Sequence, residues 1–444
     1  MQGTNQVNFM GRYIYVAQGN GGLAAVAVTE REEPQAVYGS HLQSIAYPSN
    51  YAAHLQRGRR LDEAARHGGR AVQVQLYGEY LLAASGSDGF QVFDIANVGN
   101  KDFAQPIVTS PFANQRMKVG TRNATGLAIG SPAPLDLKRV QLPVNEEQPI
   151  APIYGYAFVS DAVEGLIVID LRTLSDGIPT NNRIRRSATF NPNGQLTGAS
   201  SVTLAGDFAY VTTIRGLAIV NVADPVNPRV AAEITAGLKS PRHIAIQFRY
   251  GFVTDADGVK VIDVTVPDRP RLVDGAVVPL ADAQGLYLSR TYAYVAAGSA
   301  GLAIVDIERP EQPRLDQTFN GSGALNDTRD VKVGMVNAGL FAYVADGRNG
   351  LHVVELAAPD SVPGNLGFSP RPNPRVVAQY AKGTAIGVSE GYRRDRGVDE
   401  SGHQIAVFGR RGARPFNVQE SQKLYLRNGQ VWTVTNDPPR PPIQ

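Results

Sequence analysis

The chain has no cysteine, one tryptophan, four methionines and six histidines in 444 residues. Without thiols it can form no disulfide, no thiolate metal site and no C-x-x-C-H haem attachment. Lysine is also scarce, with eight in all. The positive charge is therefore mostly arginine, which favours geometrically fixed contacts over a merely solvated surface. A formal net charge of +3 is too small for the clustered basic face that nucleic-acid binding wants. No apolar run approaches the roughly 18 residues that a membrane-spanning helix needs. Met1 is followed by polar QGTNQ rather than by a signal peptide. Any export signal is therefore expected to have been removed or never to have been present.

Glycine and proline are plentiful. The 46 glycines and 29 prolines make up about 17% of the chain, above the roughly 12% of average usage. They are spread along its length, as many short strands joined by many turns require. Hydrophobic residues at 43% and charged residues at 19% exclude a disordered or membrane-embedded chain. A helical bundle is excluded by the same punctuation.

One phrase recurs seven times: an aromatic, alternating strand, a short glycine-containing turn, then Gly-Leu or a close variant and a second apolar strand. The clearest copies are FAYVTTIRGLAIVNV from Phe208, YAYVAAGSAGLAIVDI from Tyr292 and FAYVADGRNGLHVVEL from Phe341. Looser ones begin at Tyr13, Tyr80, Tyr156 and Tyr250. The turn glycines are Gly22, Gly89, Gly165, Gly216, Gly258, Gly301 and Gly350, with a minimum spacing of 42 residues. Alternation in the first arm marks a half-buried strand, and the continuous second arm a fully buried one. A further strand precedes each hairpin, as in VQV at Val72, IAI at Ile244 and VKV at Val331, and a fourth follows a Pro-Arg pair, as in NPRVAAEI and QPRLDQTF. Four antiparallel strands at this spacing predict an all-β fold, a β-propeller.

The reading gives one propeller domain over 1–444, with clear repeats over 1–383. Residues 384–437 are an eighth, degenerate blade or a strand-rich tail, and 438–444 a flexible proline-rich end. Insertions near 41–69, where YAAHLQRGRRLDEAARH suggests a short surface helix, and near 130–153 lengthen the early repeats.

The GLxIVDI core followed by P-x-x-P-R-L resembles the LVIVD-repeat family of bacterial propellers, most closely over 200–380. Members of that family are typically exported or cell-surface proteins with no enzymatic activity assigned to the repeats. Some accompany or are fused to multihaem cytochromes. The resemblance implies an extracellular, cell-surface or periplasmic binding or scaffold role, with such a protein as partner, and it brings no catalytic motif.

The residues themselves offer little catalytic chemistry. The histidines 41, 54, 67, 243, 352 and 403 show no metal-ligand spacing and no H-E-x-x-H. G-x-S-x-G is missing, and GNGG at Gly19 reads as a hairpin turn rather than a phosphate cradle. No cofactor and no metal is expected. Asp88, Asp255, Asp257 and Asp346 lie in turns without the full calcium-loop pattern, so they read as turn residues. Asp94, Asp170, Asp263 and Asp306 recur at the ends of third strands and read as caps on the following turn. His352 reads as a packed polar residue that alternates outward.

Aligning the inner strands on their first apolar residue places Asn5, Arg70, Thr125, Ser200, Arg242, Gln284, Arg329 and Thr384 two positions earlier, near one mouth of the central channel. Three are arginine, and His243 and Asp330 follow two of them. Either this rim is polar because it is wet, or Arg70, Arg242, His243, Arg329 and Asp330 form a ligand site whose guanidinium groups converge on a carboxylate, a phosphate or an acidic loop. The leading functional expectation is a non-enzymatic, extracytoplasmic protein-interaction platform. The alternatives are a small-anion or carbohydrate-binding module, and a hydrolase or lyase, both using the channel mouth.

Overall fold

A computed structural model describes residues 13–20, 23–27, 35–36, 71–77, 80–94, 117–130, 152–174, 183–336, 339–358, 369–381 and 383–389, with four short strand pieces at 410–411, 414–415, 426–427 and 430–431. The suggested helix near 41–69, most of the 130–153 insertion, the 438–444 end, Asn5 and Arg70 lie outside the described residues.

Every described repeat forms a four-stranded antiparallel sheet. Six sheets are continuous in sequence and begin at the inner strands Gln73–Tyr77, Ala124–Ile129, Ser201–Ala205, His243–Gln247, Leu286–Ser289 and Asp330–Val336. These are blades 2 to 7. Blade 1 is composite. Its strands Tyr13–Ala17, Leu23–Ala27 and Gln35–Ala36 take their innermost neighbour, Gly387–Val388, from the far end of the repeats. The inner strands of successive blades neighbour one another around a closed ring, with Gly387–Val388 seated between blades 7 and 2.

The eighth blade expected over 384–437 is corrected by this arrangement. Its leading strand closes blade 1, and among the described residues the pieces at 410–431 pair only with each other, in two-residue ladders. A ring of blades must be joined somewhere without a covalent link, and here TAIGVS supplies the join. The Ile386 and Ser389 amides donate to Ala17 and Tyr15, while the Tyr15 amide donates to Ser389 Oγ at 3.1 Å.

Burial explains the two kinds of arm in the repeat. Third strands such as Gly216–Asn221 and Leu302–Asp306 lie between blades. Ile304 packs with Val331, Val333 and Val344 of the next blade, and Ile219 with Ile244 and Val253. Both isoleucines have 0% exposure. The six turn glycines from Gly89 to Gly350 all have positive φ, which glycine adopts without steric penalty. Space demands glycine as well. A Cβ on Gly350 would stand 2.1 Å from the Tyr380 carbonyl oxygen, and one on Gly216 2.0 Å from that of Ile234. The turn thus presses against the end of the fourth strand, and a side chain there would part the two.

Asp263 and Asp306, at the ends of their third strands, cap the following turn and also grip the arginine of the Pro-Arg phrase. Asp263 accepts from the Thr265 amide at 2.9 Å and from Arg271 Nη2 at 2.9 Å. Asp306 does the same with the Glu308 amide and Arg314. The Thr265 hydroxyl and amide, with Arg271, hold the Asp263 carboxyl down at about 2.

His352 departs from the outward placement expected of it. Its exposure is 0%, and its Nδ1 lies 3.6 Å from Asp346 Oδ2 in the interior of blade 7. Burial pushes the imidazole below its ordinary 6.5, and Asp346 opposes this less strongly. The folded form therefore resists a proton that the unfolded chain accepts. Stability is full above about pH 6.5 and is lost as pH falls towards the depressed folded value. Urea midpoints measured between pH 7 and 5 should fall, and His352→Leu should flatten that slope. A variant with an unchanged slope would remove His352 as the cause.

Candidate functional site at the channel

Ladder register places the channel residues. The Arg242 amide donates to Thr254 O, and Ser200, Gln284 and Arg329 donate to the equivalent carbonyls of their own blades. In blades 2 and 1 the same bond is made by Val72 and Ile386. The rim series is therefore Val72, Thr125, Ser200, Arg242, Gln284, Arg329 and Ile386. Thr384 drops out of it, and Arg70 precedes the rim position by two residues. An apolar residue stands at the rim itself in these two blades, so alignment on the first apolar residue slipped by two. Alternation gives the parity of a strand and leaves its register open.

The rim side chains fasten one blade to the next. Thr125 Oγ1 donates to Ala199 O at 2.8 Å, Ser200 Oγ to Pro241 O at 3.2 Å and Arg242 Nη1 to Ala283 O at 2.8 Å. Each acceptor directly precedes the rim residue of the following blade. Hydroxyls on second strands add a parallel set, with Thr254 Oγ1 donating to Gln284 O at 2.6 Å.

The two described arginines are each paired. Asp282 Oδ1 accepts from Arg242 Nη1 at 2.6 Å and from Gln284 Nε2 at 2.7 Å. Arg329 forms an ion pair with Asp327, whose other oxygen accepts from the Arg348 amide at 3.3 Å. Arg242 and Arg329 stand on blades 5 and 7 with Gln284 of blade 6 between them. An anion arriving at either guanidinium would meet a carboxylate already in place. The rim is a belt of mixed charge.

One step inward, the strands present Gln73, Gly126, Ser201, His243, Gly285, Asp330 and Gly387. Gln73 and His243 line the channel cavity. Asp330 is buried, and Oδ1 accepts from Lys332 Nζ at 3.1 Å and from the Val331 amide at 2.9 Å. Its Oδ2 accepts from the Val388 amide of the closing strand at 3.1 Å. Gln73 Oε1 makes the matching bond to the Leu127 amide at 2.8 Å. Glycines allow this close approach: a Cβ on Gly285 would lie 2.6 Å from Asp330 Oδ1, and one on Gly126 2.8 Å from Gln73 Oε1. The site thus brings Asp330 together with Lys332, which sequence reasoning missed. Lys332, Tyr287, Thr203 and Gln75 all follow from continuing the period-two alternation two residues past the rim's neighbours.

Asp255 and Asp346 spend their oxygens on backbone amides and on neighbouring side chains. Asp255 accepts from the Asp257 and Lys239 amides at 2.8 and 2.9 Å and from Lys260 Nζ at 2.7 Å. Asp346 accepts from the Asp327 amide at 2.7 Å and from Asn349 Nδ2 at 2.9 Å. Among the described residues no group of three or more His, Asp or Glu side chains could hold a metal ion. Among them, too, no helix is long and apolar enough to cross a membrane.

A closed ring of four-stranded blades with a fastened rim and a polar channel defines a β-propeller. The LVIVD repeat model matches residues 3–30, 68–101, 198–235, 281–320 and 327–365, and the chain belongs to the LVIVD-repeat family. No curated protein matches the sequence. Among solved structures, a protein from Lactobacillus plantarum aligns at 11% identity and a TM-score of 0.52, covering 85% of this chain and 98% of its own. Apo AztD from Citrobacter koseri aligns at 13% identity and a TM-score of 0.41, covering 86% of each chain. The Cps50 (Swd1) β-propeller domain of Myceliophteria thermophila aligns at 11% identity and 0.44, covering 73% of this chain and 91% of that one. The first of these is a likeness of fold alone.

Proposed function

We propose that this protein is a non-enzymatic interaction propeller that presents its blade turns to a protein partner outside the cytoplasm. The observation that carries this reading is a pair of exposed aliphatic side chains on the rim face, at the hairpin tips of adjacent blades. Ile214 of blade 4 is 73% exposed and Val163 of blade 3 is 48% exposed. They lie close together. A Cβ on Gly198 would fall 2.3 Å from Ile214 Cγ2, and the Gly198 amide donates to the carbonyl of Ala162, next to Val163. Apolar side chains held out on tight turns contribute nothing to the core, and contiguous ones mark contact surfaces. Rim polar groups used up in fastening blades favour the same reading over a ligand site at the mouth. Some LVIVD-repeat proteins accompany or are fused to multihaem cytochromes, which makes such a cytochrome the first partner to try.

The test compares the parent protein with Ile214→Asp in capture from the native source, followed by identification of the bound protein and direct binding to it. Substitution at so exposed a position should shift stability by no more than about 0.5 kcal/mol. Binding weakened about tenfold or more, the loss of a typical interface anchor, is the expected outcome. Unchanged binding would place the contact elsewhere, and turnover of a substrate lost on channel substitution would overturn the non-enzymatic reading.

A further inference from the structure

The sequence contains Asn-Gly at five places, and at three of them both residues are described: Asn193-Gly194, Asn320-Gly321 and Asn349-Gly350. Such pairs share one chemistry. The glycine amide nitrogen can attack the asparagine side-chain carbonyl carbon, because no side chain on the glycine stands in its way. Sequence alone makes the three equivalent, and the fold separates them.

Asn349 is held from several sides. Its Nδ2 donates to Asn326 Oδ1 at 3.0 Å and to Asp346 Oδ2 at 2.9 Å. Its carbonyl oxygen accepts from Gln379 Nε2 at 3.2 Å. Asn320 is exposed, but its carbonyl oxygen accepts from the Gly323 and Leu325 amides, both at 3.0 Å. That oxygen and the Gly321 nitrogen belong to one rigid peptide plane, so turning the nitrogen towards the side chain breaks both bonds. Gly321 is also packed, and a Cβ there would lie 2.8 Å from Val376 Cγ2.

Asn193 is different. It is exposed on the loop between blades 3 and 4, with left-handed backbone at φ 51 and ψ 22, a conformation that asparagine tolerates. Among the described residues, neither its side chain nor its carbonyl oxygen has a hydrogen-bond partner. The Gly194 amide makes one long bond, 3.3 Å to Asn191 O.

We infer that Asn193 is a site of spontaneous deamidation, the fastest of the three, and that the fold protects the other two. The Gly194 nitrogen bonds to Asn193 Cγ, the Cγ–Nδ2 bond breaks, and the nitrogen's proton leaves with the amide as ammonia. Water then opens the resulting succinimide at either carbonyl, giving an aspartate or an isoaspartate and releasing a proton. The place gives the change a consequence, because the loop over 191–198 spans the hairpin tips of blades 3 and 4. At one end Asn191 Cβ lies 2.7 Å from where a Cβ on Gly165 would stand, and at the other Gly198 abuts Ile214. Deamidation puts a negative charge on the loop between the exposed Val163 and Ile214, and isoaspartate also lengthens the backbone by one carbon. The chemistry needs no partner, so it proceeds whether or not this face binds one.

The test incubates the full chain at mildly alkaline pH and follows amide-to-acid conversion at each site by peptide mass spectrometry. Asn193 should convert about tenfold or more faster than Asn349, whose two side-chain hydrogen bonds must break first, and faster than Asn320. Raising the pH should speed conversion at Asn193, since the attacking nitrogen must shed its proton. In urea the three rates should draw together to within a few-fold, because only the fold distinguishes them. Asn349 converting as fast as Asn193 in the folded chain would overturn the assignment. So would a ranking that persists in urea, or an Asn193 that stays intact while a synthetic peptide of residues 188–198 converts.

Discussion

Truncating Ile304 to alanine should lower the unfolding free energy by about 2–5 kcal/mol, the cost of deep aliphatic truncations. The side chain is fully buried and packs among Val331, Val333 and Val344, which belong to the next blade. A cavity here therefore weakens the seam between blades 6 and 7. Neither sheet can close it without shifting against the other, because hydrogen bonds such as the one from the Gly285 amide to Arg329 O tie the two at the channel. Ile219 holds the same place between blades 4 and 5, and Ile219→Ala should cost a similar amount. The measurement is urea unfolding of both variants beside the parent. A loss under about 1 kcal/mol, well below that range, would mean that the seam relaxes and that the third strand contributes little to cohesion.

That prediction was legible in the sequence because GLAIVNV and GLAIVDI state their burial outright: continuous apolar runs after a turn glycine have no face left for water. The turn glycines were legible for a related reason, since only glycine satisfies both the positive φ and the carbonyl 2.0–2.7 Å from where a Cβ would stand. Ring closure was not legible. TAIGVS has the same alternation as any inner strand, and nothing local tells it to pair with Tyr13–Ala17 instead of starting a blade of its own. The channel was half legible. Parity identified Ser200, Arg242 and Arg329 as rim residues, but the partners of the first two come from segments 41 and 40 residues away in neighbouring blades, and that of Arg329 is Asp327 two residues before it. Arg242 meets Asp282, and Ser200 meets Pro241. Charge that looks available in one strand is spent across the seam to the next.

The closing strand rests on a carboxylate, so Asp330→Ala should be strongly destabilising. It removes the acceptor for the Val388 amide and leaves the Lys332 ammonium, 7% exposed, without its counter-charge. Breaking one side of a buried ion pair costs about 3–5 kcal/mol. The damage should be directional. Blade 1 is joined to its inner strand through two ladder residues, Val388 and Gly387, with the Ser389 bonds to Tyr15 beside them. Loss of the Asp330 anchor should release that strand before the continuous blades respond. Hydrogen exchange is the measurement: the amides of Tyr15, Ile386 and Val388 should exchange faster in Asp330→Ala, while Val253 and Val211 in blades 5 and 4 stay protected. Asp330→Asn keeps one oxygen for the Val388 amide and should recover part of the protection, though none of the charge pairing with Lys332. Uniform loss of protection across all blades would mean that the ring opens as one unit. Unchanged exchange at Val388 would mean that the ladder to blade 1 holds the closing strand without the carboxylate.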